Sequence, residues 1–262
     1  MIISPQNSHL KQVRALLNKR QERESQKLYV GEGVRLMEEA MAAGISPQVV
    51  LYSSALSPRG VTLLNQICSS GVQTEEVAPE LLKSLSDTET PQGILAVLPI
   101  HDCRLPDQAD FVVLADQVRD PGNLGTLLRT SLAASVQAII LTPGTVDAYS
   151  PKVVRSAMGA HFCLPLVNAS WEEIAYWYTA QKPRPNFWVS DVREGVPCWE
   201  ADLRSPLMMG IGGEAEGISS AAFTLPHQKV HIPMPGISES LNASIAAGIL
   251  VFEVIRQRSI TA

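Results

Sequence analysis

The chain has 262 residues, of which 45% are apolar, and a net charge of −5, so it can bury one large or two small cores. No apolar run approaches the length of a membrane span, and the N-terminus lacks the basic and apolar segments of a secretory signal, which argues against membrane and secreted proteins. The four cysteines are far apart and contain no Cys-x-x-Cys pair; this argues against a zinc ribbon or a thioredoxin-like site and favours reduced thiols in the cytoplasm.

The first 98 residues alternate between strand-like and helix-like patterns, which predicts an α/β domain. Strands are predicted at 27–30, 48–52, 72–77 and 93–98, and helices at 8–24, 34–43, 57–70 and 79–86. Residues 1–29 contain six basic and two acidic residues, a net charge of +4, so the remainder of the chain carries −9. A basic first helix on an acidic body can bind phosphate; a solvated helix face is the alternative.

Residues 99–109 contain two prolines and several charges, which is typical of a linker. A second α/β alternation follows, which predicts a further domain over 110–262. Its strands are predicted at 111–115, 138–142, 187–190, 207–211 and 230–232, with helices at 124–135, from 151, from 171 and at about 240–258. Asn123 is predicted to cap the helix at 124–135.

Three Gly/Pro-rich turns with polar side chains follow apolar strands in this second part. The first, Asp120–Thr130, contains Asn123 and then Arg129, the one charged residue between Leu124 and Val136. Arg129 is predicted either to face a polar active-site pocket or to lie at a rim where its stem covers apolar surface.

The second turn, 210–217, contains four glycines and Glu214; it is either a close approach of backbone to a ligand or an ordinary turn. The third, 232–244, places Ser238, Ser240, Asn242 and Ser244 around the start of the last helix. A helix cap explains one of these four residues. The N–H groups and positive dipole end of the helix indicate a polar or anionic ligand for the others.

In this order and spacing, the three segments resemble the motifs of the SpoU-type (TrmH-like) RNA ribose 2′-O-methyltransferases of the SPOUT superfamily. The resemblance covers about residues 110–258. Residues 1–98 also resemble the family's L30e-like substrate-binding domain, and Leu85–Ile94 is similar to a segment at its end. The resemblance implies a SPOUT domain at 110–262 with a parallel sheet and a deep trefoil knot, preceded by a smaller L30e-like α/β domain at 1–98.

The resemblance also implies S-adenosylmethionine as methyl donor, no metal, an RNA ribose 2′-hydroxyl as target, and a homodimer formed largely through the last helix. Gly212, Ile232 and Leu241 would bind the cofactor. The catalytic residues it implies are Asn123, Arg129, Glu214, Ser240 and Asn242.

Arg129 would either act as an unusually perturbed base or, with its ordinary pKa above 12, bind phosphate and stabilise a developing alkoxide. Glu214 would orient Arg129 or accept the proton itself, and the remaining polar residues would position the ribose or the arginine. Ribosomal RNA is favoured over transfer RNA as substrate. The alternatives are an inactive knotted RNA-binding protein and a methyltransferase for a base or small molecule.

Overall fold

The computed structural model describes residues 1–86, 88, 90–214, 216–237 and 239–260. Ser238 of the third motif, Ala215 of the second, and Asp87 and Glu89 of the Leu85–Ile94 segment lie outside the described residues. The first hundred residues form α1 (Ser8–Asn18), α2 (Arg20–Gln26), β1 (Leu28–Glu32), α3 (Val34–Ala42), β2 (Val49–Tyr52), α4 (Pro58–Ser69), β3 (Gln73–Glu76), α5 (Pro79–Lys83) and β4 (Ile94–Pro99).

The remaining elements alternate in the predicted α/β manner. They are β5 (Phe111–Asp116), α6 (Pro121–Ala133), β6 (Ala138–Leu141), α7 (Pro151–Ala157), β7 (Leu166–Asn168), α8 (Trp171–Ala180), β8 (Asn186–Asp191), β9 (Val196–Pro197), β10 (Leu207–Gly212), β11 (Gln228–His231) and α9 (Ala243–Ile260). Short 3₁₀ turns lie at Ala160–Phe162 and Ser220–Thr224.

The chain divides into two compact units. One contains Met1–His101 and Tyr149–Phe162, and the other contains Asp102–Ala148 and Cys163–Ala262. Residues 149–162, including α7, therefore group with the first unit, whereas the sequence prediction placed them within 110–262.

The first unit is built on a mixed four-stranded sheet of order β1-β4-β2-β3, in which β2 and β3 are parallel and the other neighbours antiparallel. Alternate residues of β4 enter different cores, because successive side chains point to opposite faces. Ile94, Ala96 and Leu98 pack with residues of α3 and α4. Leu95 and Val97 pack with α1 and α5. The unit is thus a sheet between two helical layers.

The predicted helix at 8–24 is wrong in one respect, because it is interrupted at Lys19. The backbone of Lys19 is extended, with φ −125° and ψ 116°. Arg23 of α2 is buried, and its guanidinium donates to the carbonyl oxygens of Leu16 and Leu17 at the end of α1. These bonds satisfy acceptors that the helix leaves open. Arg23 therefore has a structural role and is not one of the exposed cations of this basic segment.

The second unit contains a seven-stranded sheet of order β7-β6-β5-β10-β8-β11-β9, in which all neighbouring strands are parallel. One face packs on α8 through Ile174, Trp177 and Tyr178. α9 packs against β10 and α6. This confirms the predicted α/β fold with a parallel sheet.

The predicted linker at 99–109 is held to the second unit at its C-terminal end. The indole Nε1 of Trp177 donates to the carbonyl of Pro106 at 2.8 Å, and Gln181 Oε1 accepts from the backbone N–H of Ala109 at 2.8 Å. Among the described residues, none of the helices is both long and apolar enough to cross a bilayer.

Candidate active site at the carboxyl edge of the parallel sheet

The three motifs meet because they follow parallel strands. β5 precedes the first motif, β10 runs into the second, and β11 precedes the third. Parallel strands have their carboxyl ends at one edge of a sheet, which is where α/β proteins place ligands. β5 and β10 are neighbours, with Asp116 paired to Gly212 in register.

The helix that carries the first motif begins earlier than predicted. α6 starts at Pro121, and its N-cap is Asp120, whose carboxylate accepts from the backbone N–H of Asn123 at 2.8 Å. The prediction that Asn123 caps this helix is therefore wrong. Proline is well suited to the first helical position and Asp to the position before it. The Asn123 side chain is consequently available for other partners.

Asn123 joins the three motifs in a hydrogen-bonded chain. Its Nδ2 donates to Glu214 Oε1 at 2.6 Å, and its Oδ1 accepts from Asn242 Nδ2 at 2.9 Å. Ser244 Oγ donates to Asn242 Oδ1 at 2.7 Å and lies 3.3 Å from Asn123 Oδ1. Asn242 Oδ1 also accepts from the N–H of Ser244, at the start of α9. The amide orientation of Asn123 is thereby fixed, with its donor directed at the carboxylate.

The second motif folds as a tight turn that depends on its glycines. The N–H of Gly217 donates to the carbonyl of Gly213 at 3.1 Å, and Gly217 has a φ of +67°. A Cβ at Gly212 would overlap the backbone of Gly217 and Ile218, and one at Gly213 would overlap the carbonyl of Gln117. A larger side chain at Gly212 would therefore disrupt the turn itself rather than fill space beside it.

A buried carboxylate that sequence reasoning missed holds the backbone just after this turn. Asp116, at the end of β5, is 0% exposed. Its Oδ1 accepts from Thr142 Oγ1 at 2.7 Å, and its Oδ2 accepts from the backbone N–H of Ser219 at 2.6 Å. Asp116 thus ties the end of β5 to Thr142 and Ser219, which are distant from it in sequence. The sequence signal for this residue was its position, because Asp116 is a charged residue type at the end of an otherwise apolar strand.

A cleft of about 740 Å³ lies beside the hydrogen-bonded chain. All three residues predicted to bind the cofactor, Gly212, Ile232 and Leu241, line it, and so do Glu214, Ser240 and Asn242. The structure therefore brings together all but two of the predicted site residues around one cavity: Asn123 lies one hydrogen bond away, and Arg129 does not line it.

The end of β8 closes part of the cleft, and sequence reasoning did not single it out. Asp191 lines the cavity. Burial opposes its ionisation, but the backbone N–H groups of Arg193 and Glu194 and the Lys229 ammonium hold the pKa of its carboxyl below the usual range. Lys229 Nζ lies 3.1 Å from Asp191 Oδ2. The carboxylate is therefore charged at neutral pH and held in place.

Arg129 is exposed on α6, where its neighbours Leu124, Leu127 and Leu128 are buried. Within the part of the chain that the structure describes, its guanidinium has no hydrogen bond or ion pair. It contacts neither Asn123 nor Glu214, so the carboxylate orients Asn123 here rather than Arg129. The arginine is free to meet an anion from outside the unit.

Both parts of the chain match known protein families. Residues 110–252 match the model of the SpoU rRNA Methylase family, and residues 7–96 match that of the MRM3-like substrate binding domain. The chain is 31% identical to the 23S rRNA (guanosine(2553)-2′-O)-methyltransferase RlmP of Bacillus subtilis, over 97% of this chain and 98% of the relative.

Two further similarities involve Streptomyces viridochromogenes. The chain is 34% identical to its 23S rRNA (uridine(2479)-2′-O)-methyltransferase, over 98% of this chain and 92% of the relative. A crystal structure of the SpoU methyltransferase AviRb from that organism in complex with AdoMet superposes with a TM-score of 0.88 at 32% identity, covering 97% of this chain and 99% of the other. The predicted family is confirmed: the chain belongs to the SpoU rRNA methylase family.

Proposed function

We propose that this protein is an S-adenosylmethionine-dependent methyltransferase that modifies a ribose 2′-hydroxyl in large-subunit ribosomal RNA. The observation that carries the proposal is the Glu214–Asn123–Asn242–Ser244 chain at the wall of the 740 Å³ cleft. It places an oriented carboxylate beside a cavity that can hold a donor. The named activities of the RlmP and Streptomyces relatives support the substrate class.

The cleft suits the donor in size and chemistry. Its volume lies within the range of small-molecule sites, and its walls combine apolar side chains with the glycine backbone of the second motif, which suits recognition of an uncharged purine. Gly212, Ile232 and Leu241 would hold the adenosine part. Asp191, Glu214 and Glu216 add negative charge to the same cavity, which complements a cationic sulfonium. When bound, S-adenosylmethionine supplies an electrophilic methyl group.

The residues of this hydrogen-bonded chain prepare the ribose 2′-hydroxyl for attack on the methyl group. Asn242 and Ser244 fix Asn123, and Asn123 holds one oxygen of Glu214. The second oxygen of Glu214 can then accept a hydrogen bond from the ribose hydroxyl and remove its proton. Ser240, which also lines the cleft, would help to orient the ribose. Much of the rate gain would come from holding the hydroxyl in attack geometry.

Arg129 would stabilise negative charge on the reacting oxygen or bind the neighbouring phosphate. Its exposure and its lack of a partner within the described residues support a role toward a group that RNA or a second subunit brings. The alternative that Arg129 itself accepts the proton stays open. The two assignments differ in the pH dependence of methyl transfer that they predict.

We also propose that the second unit contains a deep trefoil knot and that residues 1–98 form an L30e-like domain. The 213–217 turn, the segment from Ile232 and the start of α9 all line one cavity, which supports the deep trefoil knot. The helix–sheet–helix layering of the first unit supports an L30e-like substrate-binding domain over residues 1–98. Lys11, Lys19 and Arg20 are exposed there and can contact phosphate.

The scattered free cysteines favour a cytoplasmic location.

An exposed apolar stripe on α9 supports the proposal of a homodimer through this helix. Ile245, Ile249 and Phe252 are 54%, 40% and 48% exposed, and their spacing places them on one face of the helix. Exposed stripes of this kind mark interfaces. We expect the protein to have twice its 28.4 kDa chain mass in solution, and Phe252→Glu to shift it toward monomer in light scattering. The matched control is Tyr176→Glu, an aromatic 80% exposed on α8, and equal dimer fractions in the two variants would contradict the assignment.

Cofactor binding can be tested by filling the cleft from α9. Ala246 lines the cavity, so Ala246→Leu places three extra carbons where the donor would lie. We expect calorimetry with S-adenosylhomocysteine to show affinity weakened by at least ~10-fold, the equivalent of about 1.4 kcal/mol. Ala133→Leu, an exposed position on α6, serves as control. Unchanged affinity in Ala246→Leu would place the cofactor elsewhere.

The inactive RNA-binding alternative has no support, since Asn123, Arg129, Glu214 and Asn242 are all present. The presence of the first-motif Asn and Arg also favours ribose over base or small-molecule methylation. The direct test is a map of ribose methylation in ribosomal RNA from cells with and without the gene. One nucleotide should lose its 2′-O-methyl group and regain it with purified protein and S-adenosylmethionine. A map identical in both cells would remove the ribosomal RNA assignment.

A further inference from the structure

A second, smaller cleft of about 380 Å³ lies at the same turn as the donor cavity. Four residues, Gly213, Glu214, Glu216 and Gly217, line both cavities. The second cleft is completed by Gln117, Arg119 and Asp120, from the loop between β5 and α6. Glu214, which we assign to the ribose hydroxyl, therefore borders two cavities. The methyl donor needs only one of them.

Arg119 is the one cation among the described residues that line this second cleft. Its Nη2 donates to Gln117 Oε1 at 3.0 Å and lies 3.5 Å from Glu216 Oε2. The two charged side chains are 59% and 69% exposed. Exposed ion pairs contribute little net stability, so the guanidinium can exchange Glu216 for another anion at small cost.

We propose that this cleft receives the target nucleotide and that Arg119 binds the RNA phosphate next to the methylated ribose. The inference rests on the proposed function. The 2′-hydroxyl and the 3′-phosphate of a nucleotide are attached to neighbouring ribose carbons. A hydroxyl held at Glu214 therefore brings a phosphate close to the acidic wall formed by Asp120, Glu214 and Glu216.

A phosphate at that wall needs a positive partner, and a planar guanidinium provides two parallel donors for its oxygens. Glu216 would hold Arg119 in place until RNA arrives and release it afterwards. Arg119 is thus a substrate-positioning residue, separate from the free Arg129 on α6.

The test measures RNA binding by the full chain with S-adenosylhomocysteine present, across a series of salt concentrations. The probe is large-subunit ribosomal RNA extracted from cells that lack the gene. We expect Arg119→Ala to weaken binding by about 10-fold and to lower the salt slope by about one counterion unit, as loss of one phosphate contact requires. Binding of S-adenosylhomocysteine alone should be unchanged. In single turnover, the rate at saturating RNA should fall less than the apparent RNA affinity.

Two further variants sharpen the result. Glu216→Gln should tighten RNA binding by about 2-fold to 3-fold, because it releases Arg119 and removes a negative charge. Most of that gain should vanish when Arg119 is also replaced by Ala. Arg204→Ala is the matched control: it removes an exposed arginine that pairs with a carboxylate, Asp202, in the same unit, and it should leave RNA affinity near that of the unaltered protein.

The proposal is overturned if Arg119→Ala has the same RNA affinity and the same salt slope as Arg204→Ala. Loss of S-adenosylhomocysteine binding in Arg119→Ala would also overturn it, because the arginine would then support the turn rather than the RNA. If instead the unaltered protein binds RNA but methylates none of it, the proposed function fails while the phosphate contact is still measured.

Discussion

Replacing Arg129 by Ala should lower the rate of methyl transfer by ~100-fold or more, the loss expected when a group that stabilises transition-state charge is removed. The side chain is exposed on α6 and has no partner within the described residues. Its removal should therefore leave the fold and the binding of S-adenosylhomocysteine nearly unchanged. Single-turnover assays at saturating RNA isolate the affected step from product release.

Two comparisons make the Arg129 result specific. Arg129→Lys should also be slow, since an ammonium cannot reproduce a bidentate planar fork. Arg204→Ala should be as fast as the unaltered protein. If Arg129 accepts the proton, the rate should rise steeply with pH, whereas a purely electrostatic arginine produces no such rise of its own. A near-normal single-turnover rate in Arg129→Ala would show that the central catalytic residue has been assigned wrongly.

The second large effect is expected at Glu214. Glu214→Gln keeps an oxygen that can accept the 2.6 Å hydrogen bond from Asn123 Nδ2 but removes the negative charge. General-base catalysis contributes about 10²-fold to 10⁴-fold. Glu214→Gln should therefore lower the methyl-transfer rate by ~100-fold relative to the unaltered protein, nearly as much as Glu214→Ala. The measurement is again single-turnover methyl transfer at saturating RNA.

A different outcome at Glu214 would be equally informative. If Glu214→Gln retains most of the rate and Glu214→Ala does not, the carboxylate only orients Asn123, and Arg129 becomes the leading proton acceptor. Glu200→Gln, an exposed carboxylate of the same unit, controls for the general effect of removing a negative charge from the acidic protein.

Local sequence patterns were sufficient for most of the secondary structure. Apolar runs predicted β5, β6 and β10 to within a residue, because a buried parallel strand must be apolar throughout. Ser170 and Glu173 form a capping box at the start of α8, where a helix was predicted from 171. The break at Lys19 was missed, since it depends on the buried guanidinium of Arg23 rather than on any local breaker.

The site required tertiary information. Asn123 lies 91 residues from Glu214 and 119 from Asn242 in sequence, and no periodicity connects positions so far apart. Motif order indicated which segments belong together, but it could not show that Asp120, rather than Asn123, caps α6. The catalytic and cofactor-binding roles of the predicted site residues stay predictions.

The burial of Asp116 has a consequence for how RNA is bound. Its carboxylate joins β5, Thr142 and the end of the second-motif turn without an ion pair in the part of the chain described. Opening this segment would leave a buried oxygen of Asp116 without its hydrogen bond, which is unfavourable. The backbone at Ser219, just after the second motif, is therefore held in place before any ligand arrives, and the loss of its conformational entropy is incurred during folding. Binding energy from the RNA is then available to bring the ribose into place rather than to order the protein around it.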